Sequence, residues 1–598
     1  MKYIEYDKVT LESGLLHDKQ ELNRKVTINA VYDRFKETGR FDAFDCNWKE
    51  GMPNRPHFFW DSDVAKWMEG AAYIIAKHRD EELEAKIEAL IDKIEANQTE
   101  DGYFNTYFTV VEPGKRFTDR FKHELYCAGH LLEAALAYCV ATDRSRFLVI
   151  MEKYIDLIIK VFTKDKSANF ITPGHPELEL ALVRAYRVTG KRKYLDLAGF
   201  FIENRGKVVE DKTGRCFQSD TPIREKLIAE GHAVRLCYLY TGVADYAYET
   251  GDAELYKICK TIYNDIVNHK LYITGGIGST RFGEELTVPY DLKNDRAYTE
   301  TCAAISLMFF SRSMARFENS SKYADLIERI LYNGMISGLS LDGKSFFYEN
   351  PLEIDLKNYE VPYSHVGERD EYAPAQRKAV FDTSCCPPNL NRVLASVGGY
   401  VYACDGGELY VNQFVGSRAS ADGISVTQKT DYPKSGTVKL AVSGAKKLHV
   451  RIPAWCTDFE ISAPYVMENG YAVIEELDES ITVKFDMKPF LVESNAGVYQ
   501  NLGKVAVCMG PYVMAAEAAD NCENLHSLFI DKNFTATAKY SDELCGYTLN
   551  VKAYRKLSND ALYSRFGENF EDYKLKLIPF AAFANRGPSN MCVWLNVR

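Results

Sequence analysis

The sequence predicts a multidomain protein, α first and then β: an (α/α)6 toroid followed by β-sandwich domains. Three observations carry that expectation. Segments with helical apolar spacing recur in pairs from about residue 60 to 340, joined by short polar turns. Near residue 402 the pattern changes to short alternating runs bounded by Gly, Asp and Lys. A chain of 598 residues is also too long for one ordinary core.

The helical part repeats a hairpin. Its joins are AAYIIAKHRDEELEAKIEALI, ALAYCVATDRSRFLVIMEKYI, ALVRAYRVTGKRKYLDLAGFFI, ADYAYETGDAELYKICKTIY and LMFFSRSMARFENSSKYADLIERIL, with loops near residues 78, 143, 190, 251 and 317. This loose period of roughly 45 to 65 residues suits paired helices with functional loops. Six hairpins close a toroid. The sixth comes from residues 14–40 or from the segment after Cys386, NLNRVLASVGGYVYA, and a curved open solenoid is the alternative architecture. The β part begins with GELYVNQFV, GISVTQKT, GTVKLAVSG, KKLHVRIPAW, YAVIEEL and SITVKFDM, and continues with GKVAVCMGPYVMAAE, YTLNVKAYRKL, YKLKLIPFAAFA and MCVWLNVR. The expected division is 1–401 helical and catalytic, 402–500 a first sandwich and 501–598 a second.

With 46% hydrophobic and 26% charged residues the composition is that of a folded soluble protein. A net charge of −11 without a long basic block argues against nucleic acid or anionic membrane surfaces as partners. The N-terminus MKYIEYDKVT lacks a basic segment followed by an apolar one, and no run of about 18 apolar residues follows, so a cytoplasmic protein is expected. Fifteen cysteines, scattered and odd in number, read as reduced thiols, most of them small buried hydrophobes.

Three clusters invite a common chemistry: Glu284 in TGGIGSTRFGEEL, Glu300 with Cys302 in YTETCAAIS, and Cys385 with Cys386 in TSCCPPN. One glutamate and three cysteines can fill a tetrahedral zinc shell. The spacing is neither a CxxC pair set nor HExxH, and the bland alternative is that Cys302 packs within its helix while Cys385 and Cys386 are buried beside Pro387 and Pro388. Glu285 rivals Glu284 as an acid/base, whereas Glu328, Glu349 and Glu353 read as ion-pair or helix-face residues. Gly275, Gly276 and Gly278 lack the ending of a phosphate loop and read as a tight turn presenting Glu284. Trp67 reads as core. Trp60, Tyr103, Phe104 and Tyr107 are core or sugar-stacking rings, and NQTEDGYFNTYF reads as a loop at the toroid mouth.

The segments HELYCAGH, PGHPELELAL, EGHAVR, TGGIGSTRFGEEL, AYTETCAA, FFYENPLE, SCCPPN and LIPFAAFANRGP, in this order over nearly the whole chain, resemble glycoside hydrolase family 127, the β-L-arabinofuranosidase family. The resemblance implies an (α/α)6 catalytic barrel, β-sandwiches, and a zinc held by Glu300, Cys302, Cys385 and Cys386. It further implies Cys385 as nucleophile and Glu284 as general acid/base. His123, His175 and His232 match positions that contact the sugar, while His130, seven residues after His123, reads as structural. One departure is Thr383, where some family members carry an extra cysteine. The implied activity is retaining release of terminal β-L-arabinofuranose from small plant-derived oligosaccharides. A hydrolase for another rare pectic sugar such as aceric acid, a metal-free (α/α)6 epimerase or uronyl hydrolase, and a non-enzymatic glycan-binding protein are the competing readings. The β tail is a candidate homodimer surface.

Overall fold

The computed structural model describes residues 1–208, 214–357, 374–558, 561–565, 567 and 569–598. Helices dominate up to residue 400 and strands thereafter. The helices are α1 (Leu15–Leu22), α2 (Ile28–Glu37), α3 (Trp60–Lys77), α4 (Glu81–Asn97), the short α5 (Thr106–Val110), α6 (Glu124–Thr142), α7 (Arg146–Ile159), α8 (Leu178–Thr189), α9 (Arg192–Asn204), α10 (Ala233–Thr250), α11 (Ala253–His269), α12 (Thr301–Met314), α13 (Lys322–Arg329) and α14 (Cys386–Ala395).

The five expected hairpins are the pairs α3/α4, α6/α7, α8/α9, α10/α11 and α12/α13, each packed together. Their joins follow local chemistry. Asp80 and Asp252 cap α4 and α11 by accepting from two backbone N–H groups each, an arrangement worth about 1 kcal/mol per helix. Gly190 ends α8 in the left-handed conformation that a side chain resists. The first helices of the pairs pack in sequence, α3 on α6, α6 on α8, α8 on α10 and α10 on α12; α12 then meets α14, and α14 returns to α3.

The two segments expected to supply a sixth hairpin pack against one another. Helix α14 packs against α1, α2 and the turn between them. Asn23 donates to the Asn391 carbonyl at 3.0 Å and Asn391 donates back to the Asn23 side chain at 2.7 Å. The two ends of the helical region are thus stitched together by two reciprocal hydrogen bonds between buried amides, which the low dielectric strengthens.

The segment Arg120–Thr142, which contains α6, is long and apolar enough to cross a membrane by length and composition, with mean hydropathy 1.3, although it carries no unbroken apolar run. The most apolar 18 residues of this segment are 78% buried inside the protein, as in a core helix.

Two six-stranded sheets follow. One has the order Lys2–Tyr3, Tyr402–Asp405, Glu408–Val411, Leu448–Arg451, Tyr471–Ile474, Val466–Glu468; the other runs Phe459–Ile461, Ile481–Phe485, Thr437–Ser443, Ile424–Thr430, Gly416–Ala421, Val9–Ser13. Tyr402 of the first bonds Ser417 and Gln428 of the second. The N-terminal residues therefore complete sheets whose other strands lie some 400 residues later. A ten-stranded sheet takes up the C-terminal region. Pro489–Val492, grouped by sequence with 402–500, pairs with Lys504–Met509 in this sheet, and Glu353–Ile354 of the helical region pairs with Met591–Cys592. Arg451, fully buried, holds Asp325 at 2.7 Å and Glu328 at 2.6 Å, tying the middle region to α13.

Candidate active site

The N-terminal ends of five helices converge on one place. Glu300 is the N-cap of α12 and Cys302 lies in its first turn. Cys385 caps α14, whose first turn holds Cys386, Pro387 and Pro388; proline is tolerated there because the N–H it lacks has no partner in a helix's first turn. His123 caps α6, His232 caps α10, and His175 lies three residues before α8. Each helix presents the positive end of its dipole, so the site favours anions and opposes imidazolium.

The Cys302 sulfur is 3.5 Å from that of Cys385 and 3.2 Å from that of Cys386, and the last two are 3.8 Å apart. Glu300 Oε1 lies 3.5 Å from the Cys385 sulfur and 3.6 Å from that of Cys386. All four donor atoms fall within 4.8 Å of one another. Sulfurs at tetrahedral angles around one ion, with bonds of about 2.3 Å, are about 3.8 Å apart, so the donor set fits a thiophilic divalent metal. Electrostatics point the same way. The Cys385 thiol is pushed up by its bond to Cys302, and Cys386 and Glu300 are pushed up by burial. Burial also opposes ionisation of Cys302, yet bonds from its two neighbouring thiols bring it down to about 6. Four acids this close cannot all ionise without a cation between them. Of the three thiols, only Cys385 is not fully buried.

A strap spanning Phe346–Asn350 positions the Glu300 end. Thr301 N–H donates to the Tyr348 carbonyl at 2.8 Å, Glu300 bridges Glu349 through the backbone, and Asn350 donates to the Thr299 carbonyl and the Thr301 hydroxyl while accepting from Ser337. The strap also brings the Tyr348 hydroxyl to 3.4 Å from the Cys385 sulfur.

Glu284 sits in a strained turn, with Gly283 at φ 67° and Glu284 itself at φ 57°. Upstream, Gly275 at φ 83° passes so close to Ile330 that an added Cβ would lie 2.8 Å from that side chain, which accounts for the glycine. Strand pairing of Gly231–His232 with Glu285–Leu286 brings His232 Nε2 to 2.7 Å from Glu284 Oε2. Glu285 turns away to Arg215 at 3.1 Å. Burial pushes the Glu284 carboxyl up, but His232, Tyr298 and Arg235 outweigh it and hold the group at about 2. Arg281, at the start of the turn, binds Glu349 at 3.0 Å, and burial lifts Glu349 to about 7.

The histidines form a row, with ring centres of His123 and His175 5.4 Å apart and those of His175 and His232 5.7 Å apart. Burial and then the Arg235 charge lower all three, His123 to about 3, so they are neutral. Their tautomers follow from their partners. His123 and His175 donate from Nδ1 to the carbonyls of Phe121 and Pro176, leaving Nε2 as an acceptor. His232 Nδ1 accepts the Arg235 backbone N–H, so its Nε2–H donates to Glu284.

Glu284, Glu300, Cys302, Cys385, Cys386, His123, His175 and His232 are therefore gathered at one end of the helical region. His130, fully buried 3.1 Å from Glu177, belongs to the interior beneath, and Trp67 is core, its indole donating to the Ile28 carbonyl. Tyr103, Phe104 and Tyr107 are buried as well, with Tyr103 bonded to Glu124, and so they pack the core. The aromatic rings around His123 are instead Phe58, Phe59, Phe121 and Tyr126. Sequence reasoning missed Tyr348, Arg281 and Arg235, and it gave Glu349 and Asn350 no part in the site. The only signal was their presence within the segments FFYENPLE, TGGIGSTRFGEEL and EGHAVR.

Three family models match the chain: Beta-L-arabinofuranosidase, GH127 catalytic domain over 8–399, the GH127 middle domain over 408–484 and the glycoside hydrolase family 127 C-terminal domain over 489–596. A non-reducing end β-L-arabinofuranosidase of Bifidobacterium longum subsp. longum is 34% identical over 592 residues, covering 90% of this chain and 89% of the relative. The crystal structure of a GH127 β-L-arabinofuranosidase from Geobacillus stearothermophilus T6 superposes with TM-score 0.93 at 37% identity, over 99% of this chain and all of that one. A GH127 β-arabinofuranosidase structure gives TM-score 0.90 at 32% identity, over all of this chain and 98% of the other.

Proposed function

The chain belongs to glycoside hydrolase family 127, and we propose that it is a retaining exo-β-L-arabinofuranosidase acting on small plant-derived oligosaccharides through a zinc-supported Cys385 nucleophile. The observation that carries this reading is the Glu300, Cys302, Cys385 and Cys386 cluster on the same end of the helical region as Glu284. The closed packing order of α3, α6, α8, α10, α12 and α14 supports an (α/α)6 barrel, and the paired six-stranded sheets support a sandwich beside it.

Zinc, when bound by Glu300 and the three cysteines, supplies the positive charge that keeps sulfur as thiolate near neutral pH. Cys385 is the thiol with access from outside, so its sulfur is the one to attack the anomeric carbon. The carbon–oxygen bond breaks, its electron pair goes to the leaving oxygen, and Glu284 delivers a proton there. Water then attacks the carbon of the thioglycosyl intermediate, Glu284 takes up its proton, and the electron pair of the carbon–sulfur bond returns to Cys385. Two inversions give net retention. The low value of Glu284 keeps it ionised, the state in which it must enter the second half. His123 and His175 would accept sugar hydroxyl protons at Nε2.

The test is metal content of wild type and Cys385→Ser together with hydrolysis of p-nitrophenyl β-L-arabinofuranoside. About one zinc per chain and turnover confined to the wild type are expected. Zinc without turnover on this glycoside overturns the substrate, and absence of zinc from reduced protein overturns the mechanism.

A further inference from the structure

A cleft of about 180 Å³ opens between the end of α11, the beginning of the ten-stranded sheet and the two ends of the loop that carries Glu284. Among the residues that line it, the buried Asn294, Asn501 and Trp594 form its floor, and the more exposed His269, Tyr290 and Arg329 its rim.

Asn294 is only 3% exposed, and its amide donates to Asn501 Oδ1 at 2.8 Å. Its own Oδ1 has no partner among the described residues. Turning the amide over would set its oxygen against Asn501 Oδ1, so the donor must face Asn501 and the oxygen is the atom left unpaired. An orphaned buried amide atom is costly to leave unpaired, and a ligand hydroxyl would satisfy it. Above it, the Tyr290 ring is fixed between the His269 ring, 5.5 Å away edge-on, and Gly497, where an added Cβ would lie 2.8 Å from the tyrosine. Arg329 forms no ion pair among the described residues and brings donors to the rim. Immobilised aromatic surface beside amides that both donate and accept is the chemistry that recognises a neutral ring with several hydroxyls. The volume is below the roughly 300–1,000 Å³ of drug-sized pockets, which limits the ligand to a single sugar.

We propose that this cleft is a second sugar site, separate from the Glu284 site, which takes one neutral monosaccharide. Tyr290 N–H bonds the His269 carbonyl at 2.8 Å and the Tyr272 hydroxyl bonds the Lys293 carbonyl at 3.1 Å, so a ligand here braces both ends of the catalytic loop. Only the choice of the released pentose as first probe rests on the proposed function.

Saturation-transfer NMR with free L-arabinose, D-xylose and D-galactose tests it on full-length wild type, on Cys385→Ala/His175→Ala, and on that variant with Asn294→Leu, Tyr290→Ala or Arg329→Ala added. Binding of at least one sugar should persist in the active-site variant and weaken at least about tenfold when each cleft substitution is added to that variant, where tenfold is 1.4 kcal/mol. Arg329 is exposed, so Arg329→Ala reports on the cleft even where Asn294→Leu fails to fold. Loss of all binding in the active-site variant, equal binding after Tyr290→Ala and Arg329→Ala are added to it, or no binding of any of the three overturns the proposal. Hydrolysis is assayed separately: cleft binding by a protein inactive on arabinofuranosides keeps this site and sinks that activity, and the reverse pattern does the opposite.

Discussion

His232 Nε2 donates to Glu284 Oε2 across 2.7 Å, and this bond determines how many protons Glu284, the proposed acid/base, shares with the imidazole. Burial lowers His232 below the usual imidazole value, and Glu284 is held at about 2, so near neutrality the pair is neutral imidazole and carboxylate. The first chemical step needs one proton more. The kcat/KM for alkyl glycosides, whose leaving groups need that proton, should therefore fall as pH rises. His232→Gln keeps a donor but removes the imidazole that takes up the pair's first proton, so that burial alone then raises Glu284. The basic limb of the pH profile should then move upward by about one to three units. An unmoved limb would show that Glu284 is not the titrating acid.

Glu284→Gln separates the two half-reactions. With p-nitrophenol leaving, protonation matters little, so sulfur can still attack; hydrolysis of the intermediate then lacks its base. A loss of about 10²–10⁴-fold in turnover is expected, with a glycosyl adduct accumulating on Cys385 that intact-protein mass spectrometry detects. Full turnover, or an adduct mapped to another residue, would contradict the assignment.

The crowding of Glu300 against three thiols makes metal and fold interdependent. Cys302→Ala or Cys386→Ala should remove the metal, release the ends of α12 and α14 from one another, and lower Tm, since binding to such a site also stabilises the fold. Because the thiols must be deprotonated to bind, metal should dissociate from the wild type as pH falls. Elemental analysis across pH, beside thiol titration with a chromogenic disulfide, checks this. Metal retained in Cys302→Ala would mean that the ion sits elsewhere.

How far the sequence reached depended on range along the chain. The hairpins were legible because their ends are written locally, as at Asp80, Asp252 and Gly190. The gathered site candidates were legible through the family resemblance rather than through spacing. His232 was expected to face the sugar, and the strand pair that directs it to Glu284 joins residues 53 positions apart in two-residue strands that carry no period. Lys2–Tyr3 and Glu353–Ile354 escaped notice for the same reason. Tyr103 and Phe104 lie in a polar, turn-rich segment that reads as a surface loop, but burial of their rings decides their place.

Arg281 and Glu349, 3.0 Å apart, clamp the Glu284 turn to the strap that carries Tyr348. Arg281→Met should lower kcat by about 10- to 100-fold, as small misplacements of an acid do, while KM changes little. Since either substitution breaks the same clamp, Arg281→Met/Glu349→Gln should be no slower than Arg281→Met alone. Steady-state kinetics on the four proteins reads the coupling, and additive losses would deny it.

His526 Nε2 and Glu353 Oε1, 2.9 Å apart, join the C-terminal region to the segment just after the strap. The bond to Glu353 raises the His526 pKa above its ordinary value. A group raised on folding stabilises fully below its unfolded value of about 6.5, and this contribution fades as pH climbs through the folded value. Because His526 is 48% exposed, the pair is worth no more than about 1 kcal/mol. Wild type should melt slightly above His526→Gln near about pH 6, and the two should converge by about pH 9. Comparing the two proteins at each pH cancels any metal loss they share. A difference that grows toward alkaline pH would mean that packing, not the ion pair, holds this junction.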